Sequence, residues 1–274
     1  MHASSKVDDA APARSLAGIG RVLLWKGGSV WIGRDAGQVH PHSHHAIQIT
    51  LAPNLPVRIR GGTDDTWRET SAALVMPDRP HQFDGCGQPV AMVFVEPETL
   101  SGRALTNRYG QQNLWLISDG CLDAHGADDA LIATAQRLVE QLAEAPFGDA
   151  AVDPRIANVL DRIRDRPDGE MSLTHAAAIA HLSPSRFRHL FVAQTGISFR
   201  AYLLWARVGD AVARGMAGGS WTDAAQQAGF ADSAHLSRTC RRMFGVAPTM
   251  LVREDQAVAR ETAARRKRGG LASA

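Results

Sequence analysis

One helix-loop-helix pattern occurs twice between Ser172 and Leu251, first as SLTHAAAIAHLSPSRFRHLFVAQTG and again as WTDAAQQAGFADSAHLSRTCRRMFG. Ala177, Ala180 and Leu182 match Ala225, Ala228 and Phe230 at an offset of 48. One extra residue in the second loop moves the offset to 49, which pairs Phe187 with Leu236, Phe191 with Cys240 and Gly196 with Gly245. Solenoids need about three or more such units to bury a continuous core. Two copies point instead to a paired-motif domain.

The local signals place a helix after each loop. Ser183 supplies a capping hydroxyl and Pro184 stands at the first helical position, where its missing N–H costs nothing. Phe187, Leu190 and Phe191 then form an inward stripe, while Ser185, Arg188, His189 and Val192 face outward. In the second copy Ser220 and Asp223 resemble a capping box, and Asp232 can cap the following helix. Its inward stripe is Leu236, Cys240, Met243 and Phe244, leaving Ser233, Ala234, Ser237, Arg238, Arg241 and Arg242 outside. Small and arginine side chains on one face suit the major groove, where arginine can bridge guanine O6 and N7.

Between the copies, FRAYLLWARVGDAVARGM reads as one helix from Phe199 to Met216, stopped by Gly218 and Gly219. At about 1.5 Å per residue it spans roughly 27 Å. Successive major-groove faces lie about 34 Å apart, so one chain could read two neighbouring turns of DNA.

Residues 155–251 resemble the DNA-binding domain of the AraC/XylS family of bacterial transcription regulators. The second copy carries the residues of that resemblance in order: Ala225 through Gly229-Phe230, then Ser233, Leu236, Ser237, Arg238, Phe244, Gly245 and Pro248. Cys240 stands where the family usually has phenylalanine, and Met250-Leu251 replaces a residue followed by tyrosine. Both departures fall on packing positions. The resemblance implies base reading by Ser185, Arg188 and His189 in the first recognition helix and by Ser233, Ala234 and Arg238 in the second. Arg186, Ser237, Arg241 and Arg242 complete the expected DNA-binding set, with double-stranded DNA as the partner.

Charge is distributed to match. From Asp153 onward there are 18 Lys+Arg against 11 Asp+Glu, whereas residues 1–152 hold 12 against 17. The half with the repeat is therefore at +7 and the other at −5, an asymmetry that favours phosphate contact by the C-terminal half alone.

From Ile19 to about Glu96 the text changes to short β-type runs: Arg21–Trp25, Ser29–Gly33, Ala46–Leu51, Pro56–Arg60, Ala73–Met76, His81–Phe83 and Val90–Val95. Strands at this spacing suggest a small sandwich or barrel. Gly37, His40, His42, His44 and His45, with the later Pro77-Asp78-Arg79-Pro80-His81, resemble the two motifs of the cupin barrel, which AraC regulators often carry as a sensing domain. With a strand's period of two, His40, His42 and His44 share one face, His45 points away, and His81 can approach from a neighbouring strand. Imidazole clusters suit zinc, iron, nickel or copper, but Gln48 stands about where the cupin pattern supplies a carboxylate. His40, His42, His44, Gln48 and His81 are thus expected to line a pocket for a small-molecule effector. A metal ion on His40, His42, His44 and His81 is the other reading, and no cofactor is required.

Beyond Val95-Glu96-Pro97, helices are expected over Gly102–Tyr109 and over Asp128–Ala145, with Leu131, Ala135, Leu138, Val139 and Leu142 on one face of the second. That stripe serves either packing on the chain's own barrel or a homodimer seam. Pro154 opens a helix over Arg155–Arg164 that should support the first repeat. Cys86, Cys121 and Cys240 form no C-x-x-C pair, which fits a reducing compartment. No apolar run approaches the length of a membrane span, and no secretory order of cationic then apolar residues opens the chain. A cytoplasmic protein is expected, with no membrane contact.

The expected architecture is α+β in two domains. Residues 1–18 form a disordered N-terminus, 19–96 a cupin-like β-barrel sensor, 97–148 a helical segment suited to dimerisation, 153–255 an all-α domain with two helix-turn-helix motifs, and 256–274 a basic tail around Arg265-Arg266-Lys267-Arg268. The expected function is sequence-specific transcription regulation through a small-molecule effector, without enzymatic activity. The alternative is a metal-dependent cupin enzyme with a helical appendage.

Overall fold

The computed structural model describes residues 18–61, 64–117, 122, 126–148, 152–167 and 171–253. The first seventeen residues, Cys121 and the tail from 254 onward, with its basic cluster, lie outside them. The N-terminal half contains β1 (Gly18–Trp25), β2 (Gly28–Gln38), β3 (Ile47–Leu51), β4 (Val57–Gly61), β5 (Asp64–Thr70), β6 (Ala72–Val75), β7 (His81–Val95), α1 (Leu100–Tyr109), β8 (Leu114–Leu116) and α2 (Asp128–Ala143). The helical half follows with α3 (Pro154–Asp165), α4 (Leu173–Ile179), α5 (Pro184–Thr195), α6 (Phe199–Met216), α7 (Trp221–Gln227) and α8 (Ser233–Phe244), then a 3-10 turn over Pro248–Met250 and β9 (Leu251–Arg253).

The strands form one sheet in the order β8-β6-β3-β7-β2-β1-β9, with the β4/β5 hairpin joined to β7. β7 is the spine of the sheet. Its second half lies between β2 and β3, with Val93 opposite both Val30 and Ile49, while its first half pairs with β4 through Phe83 and Ile59. Positive φ at Cys86 and Gly87 lets the strand bend without ending. The two runs expected at His81–Phe83 and Val90–Val95 are therefore one strand.

The stripe of α2 packs inward: Leu131, Ala135, Leu138 and Val139 share a core with Val30, Ile49, Leu74 and Val93 of the sheet. The face that could have formed a dimer seam is covered by the chain's own β domain. A second core joins Ile156, Val159, Leu160 and Ile163 of α3 to Phe187, Phe191, Phe199 and Tyr202. A third crosses between the halves, where Val208, Val212, Phe230, Leu236, Cys240 and Phe244 pack with Trp31 and Phe94 of the sheet and with Ala46 just before β3. β9 continues this junction by pairing in parallel with β1, Gly18 opposite Leu251 and Gly20 opposite Arg253. Among the described residues no helix is long and apolar enough to cross a membrane.

Candidate nucleic-acid interface and effector site

The two recognition helices are built the same way. Ser183 accepts the amide of Arg186 at the start of α5, and Asp232 accepts that of His235 at the start of α8. Each helix ends on a glycine in the left-handed region, Gly196 at φ 82° and Gly245 at φ 71°. Apolar burial then fixes the roll of each helix. With Phe187 and Phe191 inward, Ser185, Arg186, Arg188 and His189 are exposed. With Leu236, Cys240 and Phe244 inward, Ala234, Arg238, Arg241 and Arg242 are exposed, and Ser233 and Ser237 are half-buried beside them. Cys240 fills its apolar position well, at 2% exposure, and burial pushes its thiol up to about 12.

The arginines differ in their commitments. Arg207 binds the Pro167 carbonyl, and Arg214 pairs with Asp210 and Gln227, so both brace the domain. Among the described residues no ion pair or side-chain hydrogen bond engages Arg188, Arg238, Arg241 or Arg242. Arg238 and Arg242 border an open cleft with Arg200 and His235, between the start of α6 and α8.

The histidines meet at the other end of α8. His42 and His81 form an isolated antiparallel bridge, and their rings lie 4.1 Å apart between centroids. His44 joins them at 5.8 and 5.1 Å. All three are buried, and one ring nitrogen from each lies within 4.8 Å of the others. His40 does not join. Its side chain is exposed, because residues 40–46 precede β3 and do not follow a strand's alternation. Its backbone contributes instead: the His40 carbonyl accepts from His42 Nδ1 at 2.8 Å, and the His40 N–H donates to the Gly245 carbonyl at 3.1 Å.

His44 Nδ1 and His81 Nδ1 are held in the same way, by the Ala46 carbonyl at 2.9 Å and the Arg79 carbonyl at 2.9 Å. A carbonyl can only accept, so the His42 contact is made by its Nδ1–H, which leaves His42 Nε2 with a lone pair, whereas His44 and His81 each face a carbonyl oxygen at both ring nitrogens. Burial drives His42 down to about 4, and burial with the neighbouring His42 drives His44 to about 3; the same two causes put His81 well below its usual value. The cluster is neutral near pH 7. Gln48 Oε1 lies 3.0 Å from His44 Nε2 and 3.3 Å from His81 Nε2, and Gln48 Nε2 donates to Thr50. His42 and Gln48 also border an apolar cavity of about 90 Å³, lined by Trp31, Phe83, Met92 and Phe94 of the sheet and closed by Phe244 and Met250.

His45, expected to point away, is buried and ion-paired with Glu98 at 3.0 Å. Arg164 of α3 binds Glu96 at 2.7 Å and Tyr202 of α6 reaches the same carboxylate, so an ionic cluster joins the two halves. Burial alone would lower His45, but the Glu98 hydrogen bond and the nearby carboxylates outweigh it and raise its pKa. Sequence reading missed this cluster. The signal present was the Glu96-Pro97-Glu98 pair just after a strand, which carries no mark of its distant partners.

The helix-turn-helix domain family model matches residues 176–254. The C-terminal half carries a helix-turn-helix domain. Its two motifs are α4/α5 and α7/α8. Among curated proteins no sequence relative matches the chain. Among solved structures, apo ToxT K231A from Vibrio cholerae strain SCE256 superposes with a TM-score of 0.52 at 10% identity, covering 84% of this chain and 97% of that one. ToxT from Vibrio cholerae O395 gives 0.51 at 12% identity, covering 81% and 95%. The chain shares the ToxT fold, a β-rich N-terminal domain followed by a helical helix-turn-helix domain.

Proposed function

We propose that this chain is a sequence-specific transcription regulator that reads DNA with α5 and α8 and senses a small effector at the histidine end of its β domain. The observation that carries the reading is the pair of capped helices α5 and α8 with outward arginines that, among the described residues, have no side-chain hydrogen bond or ion pair. Ser185, Arg188 and His189 read one block of bases, and Ser233, Ala234 and Arg238 read a second. Arg186, Ser237, Arg241 and Arg242 sit at the margins of these faces and engage phosphates. An arginine already free of protein partners gives up no internal interaction when it meets guanine.

The effector region is the cavity bounded by His42 and Gln48, together with His44 and His81. ToxT, of the same fold, has been solved with (E)-4-(8-methylnaphthalen-1-yl)but-3-enoic acid bound, which supports a small-molecule input for this architecture. A ligand contacting Trp31 and Phe244 together would touch both halves of the chain, and only such differential contact can shift their arrangement. Three imidazoles anchored through Nδ1 also fit a transition-metal ion, for which His42, His44 and His81 would be the ligands and Gln48 the neighbouring donor. Such an ion would supply positive charge at the wall of the cavity. We assign no enzymatic role, since a neutral donor set with no carboxylate among the clustered residues suits binding more than acid-base chemistry.

The test is equilibrium binding of the full chain to a selected duplex across a salt series. Log affinity should fall linearly with log salt, with a slope of about −0.9 per phosphate contact. Replacement of Arg188 or Arg238 should relax preference at separate base blocks. An equal loss on specific and random duplex would overturn the assignment of those residues.

A further inference from the structure

A larger cavity, of about 600 Å³, opens between the halves of the chain. Its walls come from β1, β2 and β7 on one side and from α3, α6 and the end of α8 on the other. Pockets of this size hold small organic molecules.

One wall is aromatic. Trp25, Trp31, Phe94, Trp205 and Phe244 line it. Between centroids, Trp31 lies 5.4 Å from Phe94 and 4.6 Å from Phe244, and Trp205 lies 5.7 Å from Phe244. Ser29 Oγ accepts from Trp31 Nε1 at 3.1 Å and fixes that indole. Trp31, Phe94 and Phe244 also border the smaller cavity at the histidine end, but no carboxylate lines that one.

The polar lining of the larger cavity is acidic. Glu96, Asp161, Asp165 and Asp210 stand there against Lys26 and Arg164. Both cations are engaged, Arg164 by Glu96 at 2.7 Å and Lys26 by Asp161 at 3.2 Å. Asp210 pairs at 2.7 Å with Arg214, which is not part of the lining. Asp165 is exposed, and among the described residues no ion pair or hydrogen bond engages its side chain. Carboxylates therefore remain in excess. An anion would have to take Arg164 or Lys26 from its partner, whereas a cation meets carboxylates and the negative faces of aromatic rings.

Gly209 marks where the space is kept open. It lies inside α6, where glycine is the poorest helix former after proline, and a Cβ there would meet nothing within 4 Å. The other glycine of the helix, Gly215, is required by packing, since a Cβ on it would run into the Trp221 indole. No such contact requires Gly209. A side chain at 209 would lean over the preceding turn, where Trp205 stands, and fill the cavity.

We propose that this cavity is a second ligand site, for an organic cation that lays an apolar body on the aromatic wall and sets an ammonium head among Asp161, Asp165 and Asp210. Resting on the regulator reading, its occupation is an input to DNA binding. The ligand touches α3, α6 and Phe244 of α8 as well as the sheet, and so favours one arrangement of the halves.

The experiment titrates the full chain with 4-phenylbutyltrimethylammonium by isothermal calorimetry. Beside it run 5-phenylpentanoate and 5-phenylpentan-1-ol, which keep the body and replace the head with an anion or a neutral hydroxyl. We expect one equivalent of the cation, bound about tenfold or more tightly than either control. Gly209→Leu should weaken it by about tenfold or more without lowering the unfolding temperature, and Asp165→Asn by about two- to fivefold. Asp165→Asn, at an exposed position, keeps the test decisive if Gly209→Leu perturbs the fold. Affinity for a selected duplex, read by fluorescence anisotropy, should change about fivefold or more at saturating cation.

No saturable binding of the cation, or equal or tighter binding of either control, overturns the proposal. Cation binding unchanged in Gly209→Leu places the ligand elsewhere and overturns the site. Stoichiometric binding with duplex affinity unchanged within about twofold overturns the coupling and leaves the regulator reading intact. Absence of sequence-specific DNA binding removes the regulator reading, while calorimetry still reports on the cavity.

Discussion

Gly196 and Gly245 close the two recognition helices in the same left-handed conformation but in different surroundings, which makes them a matched pair of probes. Alanine at either position bears the left-handed backbone cost of about 1–2 kcal/mol. At Gly196 nothing lies within 4 Å of an added Cβ, so Gly196→Ala should stop there. At Gly245 the Cβ would press into the His40 carbonyl and stand 2.8 Å from His42 Nδ1 and 3.0 Å from the His40 nitrogen. Backbone atoms cannot swing aside, and the His40 N–H to Gly245 carbonyl bond must lengthen or break. Overpacking of this kind adds about 1–3 kcal/mol, for a total of roughly 2–5 kcal/mol. Urea unfolding of both variants beside the parent chain, followed by tryptophan fluorescence, measures the difference. Gly245→Ala should be the less stable by about 1–3 kcal/mol and should loosen the contact between α8 and the β domain. Equal losses within about 0.5 kcal/mol would refute the tight junction between Gly245 and the histidine segment.

Arg238→Ala should cost about 1–3 kcal/mol on the selected duplex and little on random duplex, read by anisotropy at fixed salt. Acid should destabilise the fold: His42, neutral when buried and lowered from 6.5 to about 4, contributes stability above pH 6.5 that is lost as pH falls toward 4. That is roughly 3 kcal/mol at full titration, and His42→Phe should flatten this limb of a stability–pH curve. His45 titrates in the opposite sense; its raised pKa makes the Glu98 pair fully stabilising below pH 6.5 and weaker as pH climbs through the raised value, so His45→Gln should remove that decline. Iodoacetamide at pH 8 should modify the exposed Cys86 in the native chain and reach the buried Cys240 only after unfolding, as peptide mass mapping would show.

What the sequence made legible follows from how local each signal is. The caps at Ser183, Ser220 and Asp232, the α6 boundaries and the buried stripes of α5 and α8 all follow from residues within a turn or two of one another. The strand β5 went unread because Asp64–Thr70 offers a single large apolar residue, Trp67, which lies under Arg58 and Arg60 across the hairpin. β7 was split in two because Gly85-Cys86-Gly87 has the composition of a turn, and only the pairing with β2 and β4 shows that the chain bends there and continues.

In the effector region, His42, His44 and His81 converge as the pattern suggested, though through a loop and an isolated bridge and not through strand alternation. His40 serves through its backbone, and His45 belongs to the ionic cluster with Glu98. The pairing of β9 with β1 and the packing of Gly245 on His40 join positions more than two hundred residues apart in sequence. No periodicity encodes such a junction, and it is the feature that links the histidine cluster to α8.

The central claim is that α5 and α8 read two separate blocks of DNA from one chain. Selection of the full chain from a random duplex library at near-physiological salt, with the bound fraction sequenced, tests it most directly. The account predicts two short enriched blocks about one helical turn apart, with Arg188→Ala degrading one and Arg238→Ala the other. A single block sensitive to both substitutions, or no enrichment in either metal-loaded or metal-stripped protein, would contradict it.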